Sequence, residues 1–273
     1  MALHSGPALS FIGAYLLLGL VSGFIAGLLG VGGGLVLVPA LAWIYAAQGF
    51  TAEYNIHMAL ATSLAVIVLT SIASLRAHHG HGAVRWPAVR TITPGIVLGT
   101  LTGAFAAAAL PDLGLKWFFV AFLFLAATQM LLGLKASPHR DLPGWPGMTL
   151  AGAVIGLVSS WVGIGGGTLS VPFLNWCNVR FQDAIGTSAA IGFPIAVSGA
   201  LGYMLAGQAT AGLPEFSLGF VYLPALIGIA LASMVTAPVG ARLTHRLPVT
   251  RLKKIFAGLL YLLGLRMWWS LMH

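Results

Sequence analysis

Apolar residues run in unbroken blocks along this chain, with thin polar punctuation between them. A strand with one face in water would alternate every second residue. Continuous apolar runs of this length read as helices that face lipid or other helices. Ten segments are predicted: 9–29, 34–47, 56–76, 93–110 and 115–134, then 148–162, 167–177, 182–206, 219–240 and 252–271. The stretch "KASPHRDLPGWPG" at 135–147 holds Pro138, Pro143 and Pro146 beside Lys135, Arg140 and Asp141, and it reads as a linker. The expected organisation is a first transmembrane repeat over 1–134, a cytoplasmic linker over 135–147 and a second, inverted repeat over 148–273.

The two sets of segments correspond. Gly30-Val31-Gly32-Gly33-Gly34 pairs with Gly163-Ile164-Gly165-Gly166-Gly167 at an offset of 133, and Pro39 pairs with Pro172 at that same offset. Ala61-Thr62-Ser63 pairs with Gly186-Thr187-Ser188 at an offset of 125, and Leu115-Lys116 pairs with Leu252-Lys253. These correspondences fall in the same order in both halves, which indicates an internal duplication.

Charge sets the expected topology. Of the 13 Lys and Arg residues, all but Lys116 and Arg266 fall in the connections after the third, fifth, seventh and ninth segments. These connections share one side of a membrane only under one arrangement. The first two segments form a hairpin entered from the opposite side, the sixth and seventh form a hairpin entered from the basic side, and the rest cross singly. The second half is then inverted relative to the first. The positive-inside rule puts the basic side in the cytoplasm and both termini outside it.

Segments 34–47 and 167–177 are shorter than the roughly 20 residues that span a bilayer. They read as half-helices of broken or re-entrant pairs, and inverted repeats with broken helices mark secondary transporters. Each half-helix begins at a glycine triplet. Glycine permits a tight reversal and a close approach by another group, and irregular backbone at membrane depth persists where it is buried in protein or lines a cavity. The first amides of each half-helix lack intrahelical partners and carry the positive end of the helix dipole. Together these features make a backbone anion site. The candidate substrate-binding residues are therefore Gly32, Gly33 and Gly34, Gly165, Gly166 and Gly167, and the matched hydroxyl pairs Thr62-Ser63 and Thr187-Ser188. Packing alone would also explain glycines in membrane helices, and a helix hydroxyl can simply bond its own preceding turn.

Composition supports the membrane assignment. Hydrophobic residues make up 59% of the 273 positions and charged residues 7%, against about 25% charged in a soluble domain. The fold class expected is an all-α polytopic membrane protein. The net charge of +8 does not indicate nucleic acid, because the basic residues lie in short connections between spans. The single cysteine, Cys177, excludes an internal disulfide. No Lys-Ser or Lys-Thr follows the glycines, so a phosphate-binding nucleotide loop is not indicated. His78, His79 and His81 resemble a metal tract but read as a solvated loop, and no metal or cofactor is expected. His57, near the outer end of its segment, and Arg266, close to Trp268-Trp269, are left without an assigned role; Asn175 and Asn178 read as caps. Glu53, Asp112, Asp141, Asp183 and Glu215 all lie near segment ends, so no mid-membrane carboxylate relay is visible. No nucleophile–base pair or paired carboxylate sits at depth, so an enzyme is not expected.

The motifs "GFIAGLLGVGGGLVLVPAL" with "ATSL", and "GLVSSWVGIGGGTLSVPFL" with "GTSAA", resemble those of the TauE/SafE sulfite exporters, also called toluene-sulfonate uptake permeases. The resemblance covers nearly the whole chain. It implies a multi-pass permease of the bacterial inner membrane for sulfite, thiosulfate, sulfoacetate or another organosulfonate, with the glycine triplets and Thr-Ser pairs at the site. It agrees with the anion that two helix amino ends would favour. An anion channel and a structural membrane subunit are the alternatives. The expected partners are a small anionic substrate and the lipid bilayer, with self-association left open.

Overall fold

The computed structural model describes residues 7–29, 33–133, 141–244 and 249–272, and these are almost entirely helical. In chain order they form α1 (Pro7–Leu29), α2 (Gly34–Ala47), α3 (Asn55–Gly80), α4 (Trp86–Ala108), α5 (Asp112–Leu132), α6 (Trp145–Val162), α7 (Gly167–Trp176), α8 (Phe181–Ala206), α9 (Leu223–Thr244) and α10 (Val249–Met272). Every one of the ten expected segments is present. Eight of these helices are long and apolar enough to cross a membrane; α2, with 14 residues, and α7, with 10, are not. At 1.5 Å per residue they reach about 21 and about 15 Å, short of a hydrocarbon core about 30 Å thick. The protein is a polytopic all-α membrane protein.

Helix starts are where the structure differs most from the sequence reading. Helices α4 and α6 begin at Trp86-Pro87 and Trp145-Pro146, earlier than expected, with proline in the first turn. Proline fits there because that N–H has no helical partner in any case. Residues 219–222 are not helix. A small antiparallel hairpin pairs β1 (Ser217–Leu218) with β2 (Val221–Tyr222), and α9 starts only at Leu223, one residue before Pro224. His78 and His79 belong to the last turn of α3 rather than to a loop. Asn178 adopts the left-handed conformation just after α7, the geometry of a helix cap.

Helix α2 folds back along α1. The Tyr15 hydroxyl donates to Oε1 of Gln48 at 2.7 Å, and these residues lie at similar distances from the turn between the two helices. The break at Gly33 is thus a hairpin rather than a kink in one long helix. Around it, α1 lies along α9, α4 along α6, α3 along α8 and α5 along α10, while α2 packs on α3 and α7 on α8. Small residues allow the closest of these approaches. A Cβ on Gly95 or Gly99 of α4 would lie 1.8 or 2.0 Å from the Thr149 or Ala153 carbonyl oxygen of α6. Glycine at this spacing is a common device for helix contact in lipid, where burial alone supplies no drive.

Contacts between connections define two faces. At one face Arg85, before α4, and Arg180, before α8, both bind Asp183. At the other, the α2–α3, α4–α5 and α8–α9 connections meet. The Ile56 amide donates to Asp112 Oδ1 at 2.8 Å, and the His57 ring lies 5.4 Å from the Phe220 ring. Leu17, Leu98, Leu125, Leu150 and Ile227 are exposed on the outside of the bundle, the surface expected to meet acyl chains.

Candidate functional site

The two glycine turns meet inside the bundle. Gly33 caps α2 with φ 65°, ψ −15°, a left-handed conformation that L side chains rarely adopt, and its carbonyl accepts the amides of Val36 and Leu37, each at 3.1 Å. The next residue, Gly34, abuts the other turn. A Cβ there would lie 2.4 Å from the Gly163 carbonyl oxygen and 3.0 Å from Ile164 Cα. Gly163 itself ends α6 with φ 64°. Gly166 caps α7 in a right-handed conformation, so the two turns are not conformational copies. It packs into α8, where a Cβ would meet the Ser188 carbonyl at 2.9 Å and the Gly192 nitrogen at 3.2 Å. Gly165 faces Ile67 of α3, and Gly167 is the first residue of α7. Gly32 lies outside the described residues. Pro39 and Pro172 fall inside α2 and α7, as expected.

The serines and threonines divide by role. The Ser63 hydroxyl donates to the Gly163 carbonyl at 2.8 Å and so ties α3 to the second turn. Thr62 points to a different task, because its Oγ1 accepts from the Tyr45 hydroxyl at 3.0 Å and from the Tyr222 amide at 3.1 Å. Thr187 does likewise at the other face, with Oγ1 accepting from the Arg85 amide at 3.0 Å. The two threonines therefore hold re-entering connections, while Ser63 sits at the turns. Ser188 is buried and its hydroxyl has no partner among the described residues.

Several residues that sequence reasoning passed over pack or pair at the two faces. Tyr15, Tyr45 and Tyr222 are buried in one aromatic cluster, where Phe50 stacks on Tyr45 at 5.3 Å and meets Tyr222 edge-on at 5.1 Å; buried Phe220 packs instead against Tyr54, His57 and Tyr203. The Tyr203 hydroxyl donates to the Ser160 carbonyl at 3.0 Å. At the basic face, Asp183 accepts from Arg85 Nη2 at 3.1 Å and from Arg180 Nε at 3.0 Å. Hydrogen bonding to that carboxylate raises the Arg180 pKa above its usual value.

His57 has a structural explanation. Its Nε2 lies 3.1 Å from the Ala107 carbonyl and 3.2 Å from that of Leu110, so Nε2 donates to them and the ring caps the end of α4. Its Nδ1 faces Asp112 at 3.7 Å, and Asp112 pairs with Lys116. Arg266 stacks its guanidinium 3.9 Å from the Trp43 ring centre, a cation–π contact joining α10 to α2. A small cavity of about 10 Å³, room for about one water, lies beside Gly33 between Ser22, Leu37, Val66, Thr70 and Ser233. Its hydroxyls are already bonded to helix carbonyls.

A bundle of lipid-facing helices folded around buried glycine turns and hydroxyls is the architecture of a multi-pass membrane protein. The comparisons agree. Residues 15–267 match the family described as Sulfite exporter TauE/SafE. A probable membrane transporter protein of Haemophilus influenzae is 38% identical over 260 residues, covering 94% of this chain and 98% of that protein. The probable membrane transporter protein YdhB of Bacillus subtilis is 28% identical, covering 90% and 96%. A probable membrane transporter protein of Methanocaldococcus jannaschii is 26% identical, covering 92% and 93%. No solved structure matches. The chain belongs to the TauE/SafE family, and it is a multi-pass membrane transporter.

Proposed function

We propose that this transporter moves a small sulfur-containing anion, such as sulfite or an organosulfonate, across the bacterial inner membrane by alternating access. The observation that carries the reading is the meeting of the two glycine turns, with Gly34 against Gly163 and Ile164 inside the bundle. The start of α2 and the start of α7 each leave amide groups without helical partners and carry a positive dipole end. An anion held there is stabilised from both halves without a side-chain cation. The family description, a sulfite exporter, supports the sulfur oxyanion as cargo.

The two halves are read as inverted repeats. The helix pairings support this: advancing each helix by five positions converts the α1–α9 pair into α6–α4, and it maps the α3–α8 and α5–α10 pairs onto themselves. The basic face is assigned to the cytoplasm by its Lys and Arg content. The aromatic cluster at one face and the Arg85–Asp183–Arg180 link at the other are read as closures. The conformation is therefore read as occluded, with the halves rocking to open one face at a time.

The test is reconstitution into proteoliposomes with uptake of sulfite and of a short organosulfonate. Gly33→Val and Gly166→Val are expected to abolish transport while the protein still inserts. Transport at the wild-type rate in both variants would remove the glycine turns from the mechanism. Single-channel currents would replace the carrier by a channel.

A further inference from the structure

In most of these helices a Ser or Thr hydroxyl returns to the carbonyl one turn back. Thr70, Thr93, Thr102, Thr128 and Ser198 all do so, the usual way to satisfy a hydroxyl in an apolar span. The hydroxyls of Ser159, Thr168, Ser170 and Ser188 do not. None has a hydrogen-bond partner among the described residues, and their exposures are 0%, 8%, 0% and 1%.

All four flank the second glycine turn. Ser159 lies in the last turn of α6, where its carbonyl accepts the Ile164 amide. Thr168 and Ser170 stand in the first turns of α7. Ser188 is the α8 residue whose carbonyl packs against Gly166. Thr168 and Ser170 stand about 200° apart around α7, and helix side chains lean toward the amino end, so the two flank the end of α7 that presents free amides from opposite sides. A buried hydroxyl without a partner is destabilising, and a ligand would supply the missing acceptors. Other unpartnered polar atoms are Thr100 Oγ1, beside Gly156 of α6, and Asn55 Oδ1, His57 Nδ1 and Ser217 Oγ toward the aromatic face.

The first half lacks this chemistry at the matching positions. The offset of 133 sets Ala26, Leu35 and Leu37 against Ser159, Thr168 and Ser170. The offset of 125 sets Ser63 against Ser188, and the Ser63 hydroxyl is already engaged by Gly163.

We propose that the amino end of α7, with Ser159, Thr168, Ser170 and Ser188, seats the oxyanion head of the cargo and selects monoanions over dianions. This rests on the transport reading above and adds to it which half reads the head group and which charge it accepts. Every donor at the seat is neutral, since α6, α7 and α8 contain no Lys or Arg. Removing water from an ion becomes more costly with the square of its charge, and uncharged N–H and O–H groups offset that for one charge far better than for two. Hydrogen sulfite and simple alkanesulfonates present three sulfur-bound oxygens and a single negative charge, whereas thiosulfate and sulfoacetate carry two. Sulfate has nearly the shape of methanesulfonate with twice the charge.

The test uses the purified full chain, with methanesulfonate and sulfate as probes in titration calorimetry and thermal melts. Methanesulfonate is expected to bind at least tenfold more tightly than sulfate. Ser170→Ala and Ser188→Ala are each expected to weaken methanesulfonate binding roughly tenfold, the loss of one hydrogen bond to a charged group. Their ligand-free melting temperatures should equal or exceed that of the wild type, because neither substitution removes a bond the protein makes. Gly258→Ala in α10, whose Cβ would meet nothing within 4 Å, should leave methanesulfonate binding in place. Wild-type affinity in both serine variants, equal affinity for sulfate, or a lowered ligand-free melting temperature in both variants overturns the seat. If Gly34→Ala then still abolishes binding, the transport reading stands without it. A wild-type protein that neither binds nor transports either probe, nor sulfite, overturns both.

Discussion

Replacing Gly34 with alanine separates the contact between the turns from every other property of the position. Gly34 is the first residue of α2 and its φ is not left-handed, so alanine there is not strained by backbone conformation. In an open helix the change would stabilise by about 0.5–1 kcal/mol, through lost freedom in the unfolded chain. Here the added methyl would lie 2.4 Å from the Gly163 oxygen, 3.0 Å from Ile164 Cα and 3.2 Å from the Ile164 side chain. Two of those neighbours are backbone, held in turn by the Ser63 hydroxyl on the same Gly163 oxygen, and they do not yield easily. Overpacking of this kind costs about 1–3 kcal/mol, which cancels or outweighs the helix gain. Gly258→Ala in α10 is the control, because its Cβ would meet nothing within 4 Å. Thermal melts of the two variants are expected to move apart, Gly258→Ala level with or above wild type and Gly34→Ala below it. Proteoliposome uptake is expected to persist in the first and fail in the second. Wild-type transport and melting in Gly34→Ala would mean that the turns do not touch as described, and the site between them would go with that contact.

Two other substitutions test the hydroxyls that the structure places in bonds. Thr62→Ala leaves the Tyr45 hydroxyl and the Tyr222 amide, both buried, without their acceptor. A loss of about 1–3 kcal/mol per orphaned donor is expected, read as a lowered melting temperature. Ser63→Ala removes the donor to Gly163 and is expected to cost about 1 kcal/mol; a melting temperature at or above wild type would show that bond to be idle.

The bundle was legible because its periodic signal is long and lipid admits few alternatives. Segment 34–47 coincides with α2 to the residue, since a glycine triplet starts it and polar Gln48 ends it. The start of α4 differs because Arg85 and Arg90 mark a connection in the sequence, whereas in the structure Arg85 caps the helix and Arg90 lies in its second turn, at the membrane face. The β1–β2 hairpin was lost in an apolar run, because a short buried strand and a helix end have the same composition. Among the candidate residues, the glycine turns stand out in the sequence by their repetition. The division of labour between Thr62 and Ser63 was not, because one-residue neighbours on a helix point about 100° apart and nothing local says what each meets. Thr168 and Ser170 had a signal that went unused: "GGGLVLVP" against "GGGTLSVP" differs at those two places in polarity.

The threonines suggest how the two faces are released separately. Thr62 holds the Tyr222 amide and Thr187 holds the Arg85 amide, and positions 85 and 222 differ by the same 137 residues as Leu115 and Leu252. On the proposed inverted arrangement these are equivalent latches on opposite faces, and alternating access breaks one while the other holds. Their surroundings differ in kind. Tyr222 is buried among Tyr15, Tyr45 and Phe50, whereas Arg85 is tied through Asp183 to Arg180, a largely exposed residue. Salt screens exposed charges, with a Debye length of about 30 Å at 0.01 M and about 3 Å at 1 M, and it leaves buried aromatic contacts nearly untouched. Raising ionic strength is therefore expected to favour opening at the basic face alone, and Asp183→Asn should produce the same bias at low salt. The chain reports this itself, because its single cysteine, Cys177, is 2% exposed at the end of α7, three residues before Arg180. Maleimide labelling of Cys177 should quicken with salt in the wild type and be fast at all salt concentrations in Asp183→Asn. Labelling that ignores both salt and the substitution would show that the Arg85–Asp183–Arg180 link holds nothing shut.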